Sequence, residues 1–221
     1  MVKIYLIRHC EAEGNRLNIF QGTTDTDISE LGARQLEFLK ERFSDIHIDK
    51  AFSSPLLRAR KTAEAAVSGK GLAITPMEEF VEIYGGVIEG KNFNKSFEEN
   101  PELAFVWDNR PEDFAAPEGE PMRAVYDRVW QGILKLSRDP DNQGKTLLVA
   151  SHGAAIRCLM CRLLHGDISH LKSTPWSFNT AVNLLTAQGD EVTIDYMSDY
   201  SHLPEELVPK NIRILSVKNE E

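Results

Sequence analysis

The sequence predicts an α/β layer sandwich with a mostly parallel sheet that becomes mixed at one edge. Two observations carry this. Short apolar, β-branched segments alternate with longer stretches of helical periodicity as far as about residue 164, and a final pair of strand-like segments is separated only by Gln188-Gly189-Asp190-Glu191. At 221 residues the chain can close one core without disulfides or metals. No repeat, low-complexity block or composition shift marks a linker, so one domain over 1–221 with an insertion at about 85–120 is expected.

Residues 2–7 read as a buried strand that stops at the charged pair Arg8-His9. A polar loop runs to about Asp27, and Ser29 caps a helix to about Phe43 with Leu36, Leu39 and Phe43 on one face. Ala51-Phe52-Ser53 is a second strand, after which Ser54-Pro55 supplies an N-cap and a first-turn proline for an alanine-rich helix to about Val67. Residues 72–75 form a third strand. The stretch 85–120 holds Gly85-Gly86, Gly90, Pro101, Pro111, Pro117 and Gly119, the composition of an irregular insertion with a short helix. Met122, Val125, Val129, Ile133 and Leu136 keep helical spacing up to Arg138. A strand at 146–150, a helix at 154–164 and an antiparallel hairpin at 181–187 and 192–197 follow. Beyond Asp199 no pattern assigns the tail.

The net charge of −9 and pI near 5.2 disfavour non-specific nucleic-acid binding, which needs a clustered basic face. An anionic substrate stays compatible, because a small site is locally positive wherever arginines converge. No apolar run approaches the ~20 residues of a bilayer span, and Arg8-His9 come too early for a secretory segment. Cys10, Cys158 and Cys161 are an odd, sparse set that suits a reducing compartment. A cytoplasmic protein with no membrane partner is expected, and its oligomeric state is not legible.

Two histidines, His9 and His152, each sit just past a buried strand. In open α/β sheets ligands bind at the carboxyl ends of strands, so the two converge on one edge. Arg58 early in a helix and Glu82 after Phe80-Val81 fit the same edge. Two imidazoles, two arginines and a carboxyl group supply a nucleophile, forks for phosphate oxygens and a proton donor, the parts of phosphoryl transfer.

At these residues the sequence resembles the histidine phosphatase superfamily, in its phosphoglycerate-mutase-like branch. Arg8-His9-Cys10-Glu11-Ala12-Glu13-Gly14-Asn15 resembles its R-H-G-x-T-x-x-N signature, and Gln21-Gly22 with Asp25 and Leu31-Gly32 resembles the segment that follows. Ser53-Ser54-Pro55-Leu56-Leu57-Arg58-Ala59, the run from Glu82 to Glu89-Gly90, Pro117-Glu118-Gly119-Glu120, Ser151-His152-Gly153 and Asn179-Thr180-Ala181 match later motifs in family order. The likeness spans about residues 2–200. It implies a three-layer α/β/α sandwich in which His9 becomes a phosphohistidine, with catalytic partners Glu82 and His152. Arg8, Asn15, Arg58 and Gly153 would bind the phosphoryl group, and Gln21 and Gly22 would line the substrate entrance. Glu82 would protonate the leaving oxygen and then deprotonate water. No metal or cofactor is implied. Cys10, Ala12 and Ile88 depart from the family's usual glycine, threonine and tryptophan.

The implied reaction is hydrolysis of a small phosphorylated metabolite, because the run from Glu82 to Gly90 is ungapped and the insertion is shorter than in mutases of this family. Mutase-type phosphotransfer is the alternative, and a silent phosphate-binding module a weaker one, since every charged catalytic group is present. An Asp25-Thr26-Asp27 metal site and a Cys158, Cys161, His165 zinc or redox site are the readings from other chemistries. Specificity is expected from residues 18–24 and from Ile88, Phe93, Phe97, Phe105 and Trp107 as an apolar wall. With His9 neutral, His152 positively charged and Glu82 protonated, the rate should follow a bell-shaped pH profile with an optimum on the acid side.

Overall fold

The computed structural model describes residues 1–208, so 209–221 of the expected domain lie outside the described residues. The elements run β1 (Val2–Arg8), α1 (Glu13–Arg16), α2 (Glu30–Phe43), β2 (Lys50–Ser53), α3 (Leu57–Ala66), β3 (Ile74–Pro76), α4 (Phe93–Glu99), α5 (Pro101–Asn109), α6 (Met122–Arg138), β4 (Thr146–Ser151), α7 (Gly153–His165), β5 (Val182–Gln188) and β6 (Glu191–Asp199). The strands form one sheet in the order β3-β2-β4-β1-β5-β6. The first four are parallel and the last two antiparallel, the mixed α/β sheet that the sequence predicts.

Strand β1 shows why there are three layers. Side chains alternate across a strand, and Ile4 and Leu6 join the core cluster that contains Val125, Val129 and Ile156 of α6 and α7. Ile7 joins the opposite cluster with Leu39 and Phe43 of α2 and Ala59 and Ala63 of α3. Both faces of the sheet are therefore buried under helices, which is why the central strands read as continuous apolar runs.

The parallel register sets Arg8 opposite Ser151 and Ser53 opposite Ala150 and Pro76. Consequently the residues that follow β1, β2, β3 and β4 all emerge at one edge. Ser29 caps α2 as expected, its Oγ accepting from the Gly32 N–H at 3.0 Å. Helix α3 differs: it starts two residues later than Ser54-Pro55 suggests, with Leu56 at the N-cap and no side-chain cap of its own. Its first amide is instead satisfied from a distance, because the Asp25 carboxylate accepts from the Leu57 N–H at 2.8 Å. Local spacing holds no trace of such a tertiary cap.

Strand β3 lies two residues later than the periodicity suggests. The insertion is more helical than its composition: Asn92 accepts from the Lys95 N–H to start α4, and Pro101 opens α5 at a first-turn position rather than breaking a helix. After β6, Leu207 is fully buried and its carbonyl accepts from Gln35 of α2, which ties the described end of the chain to the fold.

Candidate active site

His9 is held through its own backbone and that of Arg8. Its N–H donates to the Ser151 carbonyl at 2.9 Å, and its carbonyl accepts from Asn179 Nδ2 at 2.8 Å. Thr180, at φ 59°, brings its own N–H to the Arg8 carbonyl at 3.0 Å. The imidazole Nδ1 lies 2.6 Å from the Cys10 carbonyl oxygen. A carbonyl only accepts, so Nδ1 carries the proton and Nε2 keeps its lone pair. Cys10 does not adopt a positive φ; this turn requires no glycine, and the thiol is buried with its pKa pushed up to about 12 by that burial.

Arg8 and Arg58 supply the positive charge. Arg8 Nη1 donates to the Ser177 carbonyl at 2.6 Å, and Arg58 donates to the carbonyls of Thr24 at 2.9 Å and of Gln21 and Gly22 at 3.0 Å. The Nε atoms of both arginines, both ring nitrogens of His152 and Gln21 Nε2 are buried with no partner among the described residues. Buried polar groups are ordinarily paired, and a concentration of orphaned donors in one place is what a site for a polyoxygen anion looks like. Asn15 Oδ1 accepts from the Ala12 N–H at 3.0 Å, which fixes the amide beside them.

The two imidazoles stand 5.0 Å apart between ring centres. Burial, then Arg58 and Arg8, hold His9 well below its usual pKa. Burial, then Arg58, His9, Arg128 and Arg8, do the same for His152. The charge expected on His152 is therefore disfavoured: burial and the neighbouring Arg58, His9, Arg128 and Arg8 all oppose its protonation.

Glu82 leaves the single 3-10 turn Glu78–Phe80 and lays its carboxylate across the start of α7. It accepts from the N–H groups of Ala154 at 3.0 Å, Ala155 at 3.3 Å and Ile83 at 2.9 Å. Behind it, Arg128 donates to the carbonyls of Glu79 at 3.0 Å, Val81 at 2.7 Å and Glu82 at 3.1 Å. Glu120 completes the clamp as a two-pronged partner of Arg128 at 2.7 and 2.8 Å.

A cavity of about 130 Å³ opens here. Arg8, His9, Asn15, Gln21, Arg58 and Glu82 form its polar end, with Gly153 beside them. Gly22 does not line it, contrary to expectation: a Cβ there would lie 2.2 Å from the Ile83 carbonyl, so the residue is a close backbone contact behind the wall. His152 is fully buried behind the lining. Of the expected apolar wall, Phe93 and Trp107 face the cavity. Ile88 and Phe97 are buried in the core, and Phe105 is 58% exposed. Ile19 and Phe20, from the 18–24 loop expected to set specificity, also line the cavity; Ile83 and Trp176 complete the wall and were not legible in the sequence, Trp176 lying in an aperiodic stretch where only the preceding Pro175 hints at a fixed turn. Glu89 was legible only as part of the run from Glu82 to Gly90, and Arg128, which holds the Glu82 backbone from behind, carried no signal in the sequence.

The other chemistries find no support in these side chains. Asp25 caps α3 and Asp27 pairs with Lys61. Cys158 and Cys161 are buried thiols, one against Met122 and one against the Asp167 carbonyl.

Two arginines, an imidazole with a free nitrogen and a carboxyl group at the carboxyl ends of a parallel sheet suit phosphoryl transfer, the class of enzyme that the fold and site define. The chain belongs to the histidine phosphatase superfamily (branch 1), whose family model matches residues 4–200. It is 34% identical over 178 residues to phosphoserine phosphatase 1 of Hydrogenobacter thermophilus, covering 80% of this chain and 82% of that protein. It is 33% identical over 164 residues to the probable phosphoglycerate mutase GpmB of Escherichia coli, covering 74% and 75%. Among solved structures, YhfR of Bacillus stearothermophilus superposes with a TM-score of 0.86 at 26% identity, covering 91% of this chain and 99% of that one.

Proposed function

We propose that the protein is a metal-independent phosphomonoesterase that hydrolyses a small phosphorylated metabolite through a phosphohistidine on His9. The observation that carries this reading is the free Nε2 of His9, set by the Nδ1 bond to Cys10, beside Arg8, Arg58 and Glu82 on one cavity. The His9 Nε2 lone pair attacks phosphorus and the ester P–O bond breaks, while a proton on Glu82 passes to the leaving oxygen. Arg8 and Arg58 carry the charge on the non-bridging oxygens, and Asn15 and Gly153 add donors. His152 joins them once the anion gives its imidazole a partner. Water then attacks phosphorus while Glu82 takes its proton, the P–N bond breaks with its electron pair returning to His9 Nε2, and inorganic phosphate leaves.

The mutase reading has the GpmB relative in its favour. Against it, only Arg8 and Arg58 are cationic among the described residues that line the cavity, and a substrate with a second anionic group needs more. A reducing, cytoplasmic setting is supported by three free, buried cysteines, and no helix among the described residues is long and apolar enough to cross a membrane.

The test is phosphate release from p-nitrophenyl phosphate in EDTA, with His9→Asn as the control at matched folded fraction. Turnover that survives EDTA and falls at least about 1,000-fold in the variant is expected. Turnover abolished by EDTA would overturn the metal-independent route. Transfer to 2- or 3-phosphoglycerate that outpaces release of phosphate would establish the mutase.

A further inference from the structure

Beyond the phosphoryl end, the cavity has an outer wall of one character. Phe20, Phe93, Trp107 and Trp176 all line it, together with Ile19 and Ile83. These rings form a continuous assembly rather than scattered contacts. Trp107 is its hub, 5.9 Å from Phe20, 5.8 Å from Phe93 and 6.0 Å from Trp176 between centres, and it rests edge-on against the buried Phe114 at 4.7 Å. Phe20 and Phe93 lie parallel at 6.1 Å.

Trp176 is fixed from outside. The Arg157 guanidinium sits 4.5 Å from the centre of its ring, held there by the carbonyls of Thr174 at 2.8 Å and Lys172 at 3.1 Å. That cation serves the ring, and Arg157 is not part of the cavity lining. Beyond Arg8 and Arg58, the polar groups of the lining are the neutral Asn15 and Gln21, the imidazole of His9 and the acidic Glu82.

A phosphate ester divides into a phosphoryl group, which the arginines hold, and a leaving group, which meets this wall. A leaving group with a carboxylate would be desolvated against aromatic faces without a cation to receive it, and would face Glu82 as well. A flat apolar group would instead find offset and edge-on ring contacts already in place. The enclosed volume of about 130 Å³ is shared with the phosphoryl group, so a planar group rests against the rings at the open mouth and is not fully enclosed as benzene is in a cavity of roughly 150 Å³.

We infer that the protein's preferred substrates are phosphomonoesters whose leaving group is uncharged, apolar and planar, held in the cradle of Phe20, Phe93, Trp107 and Trp176. This rests on the hydrolase reading above for the chemistry, but not for the binding. It departs from the carboxylate-bearing substrates in the names of the two relatives.

Esters with alkyl leaving oxygens keep intrinsic reactivity comparable, so benzyl phosphate is set against O-phosphoserine and 3-phosphoglycerate. Binding is read separately by calorimetry with two unhydrolysable probes, benzylphosphonate and 3-phosphonopropionate. The expected result is at least a tenfold preference for the benzyl compound in both kcat/KM and Kd. Trp176→Leu and, at the rim, Phe93→Leu should each shrink that ratio at least threefold. Phosphoserine or phosphoglycerate turned over as well as benzyl phosphate, or a ratio untouched by both variants, would overturn the cradle and leave the hydrolase standing. Tight benzylphosphonate binding without hydrolysis of any ester would support the cradle and overturn the hydrolase. Failure of both binding and turnover would overturn both.

Discussion

Arg58 and Glu89 grip the same loop from opposite sides. Arg58 takes the carbonyls of Gln21, Gly22 and Thr24, while Glu89 Oε1 accepts from the N–H groups of Gly22 at 2.9 Å and Thr24 at 2.7 Å. The other oxygen of Glu89 accepts from Gly85 at 2.8 Å, so the loop at 21–24 and the segment after Glu82 share one carboxylate. Each partner satisfies what the other cannot, and the loop that carries Gln21 to the cavity has a single position.

Removing either grip is therefore expected to act through geometry. Glu89→Ala strands three amides and should cost about 2 kcal/mol in urea unfolding, with KM rising several-fold more than kcat falls. Arg58→Lys keeps the charge but has one point of attachment in place of a planar fork, and kcat/KM should fall about 100-fold or more. Glu89→Ala kinetics with an unchanged KM would show that the loop holds its position without the carboxylate.

Arg128 is not among the residues that line the cavity, yet three of its bonds end on the backbone that carries Glu82. Arg128→Gln should let the acid drift, and the loss should depend on the leaving group. Esters with poorly acidic alcohols need the proton and should slow by about 100-fold, whereas p-nitrophenyl phosphate, whose leaving group is a weak base, should slow by less than about 10-fold. Glu82→Gln should show the same asymmetry in stronger form. A uniform loss across leaving groups would mark Arg128 as structural only.

Cys10 stands where the family signature has glycine. Its φ is not positive and its side chain is fully buried, with the backbone N–H donating to Thr62 Oγ1 at 3.0 Å. Cys10→Gly is expected to destabilise by about 2 kcal/mol, from lost apolar burial and a more flexible unfolded chain, without raising kcat. Equilibrium unfolding and kinetics on the same preparation read both effects.

The buried imidazoles make stability depend on pH with a definite sign. Unfolded histidines titrate near 6.5, and the folded pKa values of His9 and His152 lie well below, chiefly through burial. Between those limits the unfolded chain holds protons that the native one does not. Stability is thus fully present above about pH 6.5 and is lost as the pH falls through that window, by at most about 1.4 kcal/mol per pH unit for each group. His202, held to about 4 by burial and Arg42, adds to the same slope. Melting temperatures from pH 7 to pH 5 should fall, and the His9→Gln, His152→Gln double variant should fall less steeply. An equal slope in both proteins would mean that the imidazoles are charged in the native state.

Much of this was written along the chain. The abrupt ends of β1 and β4 at Arg8-His9 and Ser151-His152, the helical spacing from Met122 to Leu136 and the final hairpin are local patterns, and local patterns fix which residues follow which strands. That was enough to place His9, Arg58, Glu82 and His152 on one edge and to read the family from them. Tertiary structure alone decided the rest. The late start of α3 depends on Asp25, thirty-two positions earlier; the Arg128 clamp reaches back forty-six positions to the Glu82 carbonyl; and Trp176 meets Trp107 only because the segment after α7 brings the chain back to the edge where that helix began. Hydrogen bonds and ring contacts of that span have no period in the sequence. The charge state of the two histidines is likewise a property of burial, and burial exists only once the sheet has closed over them.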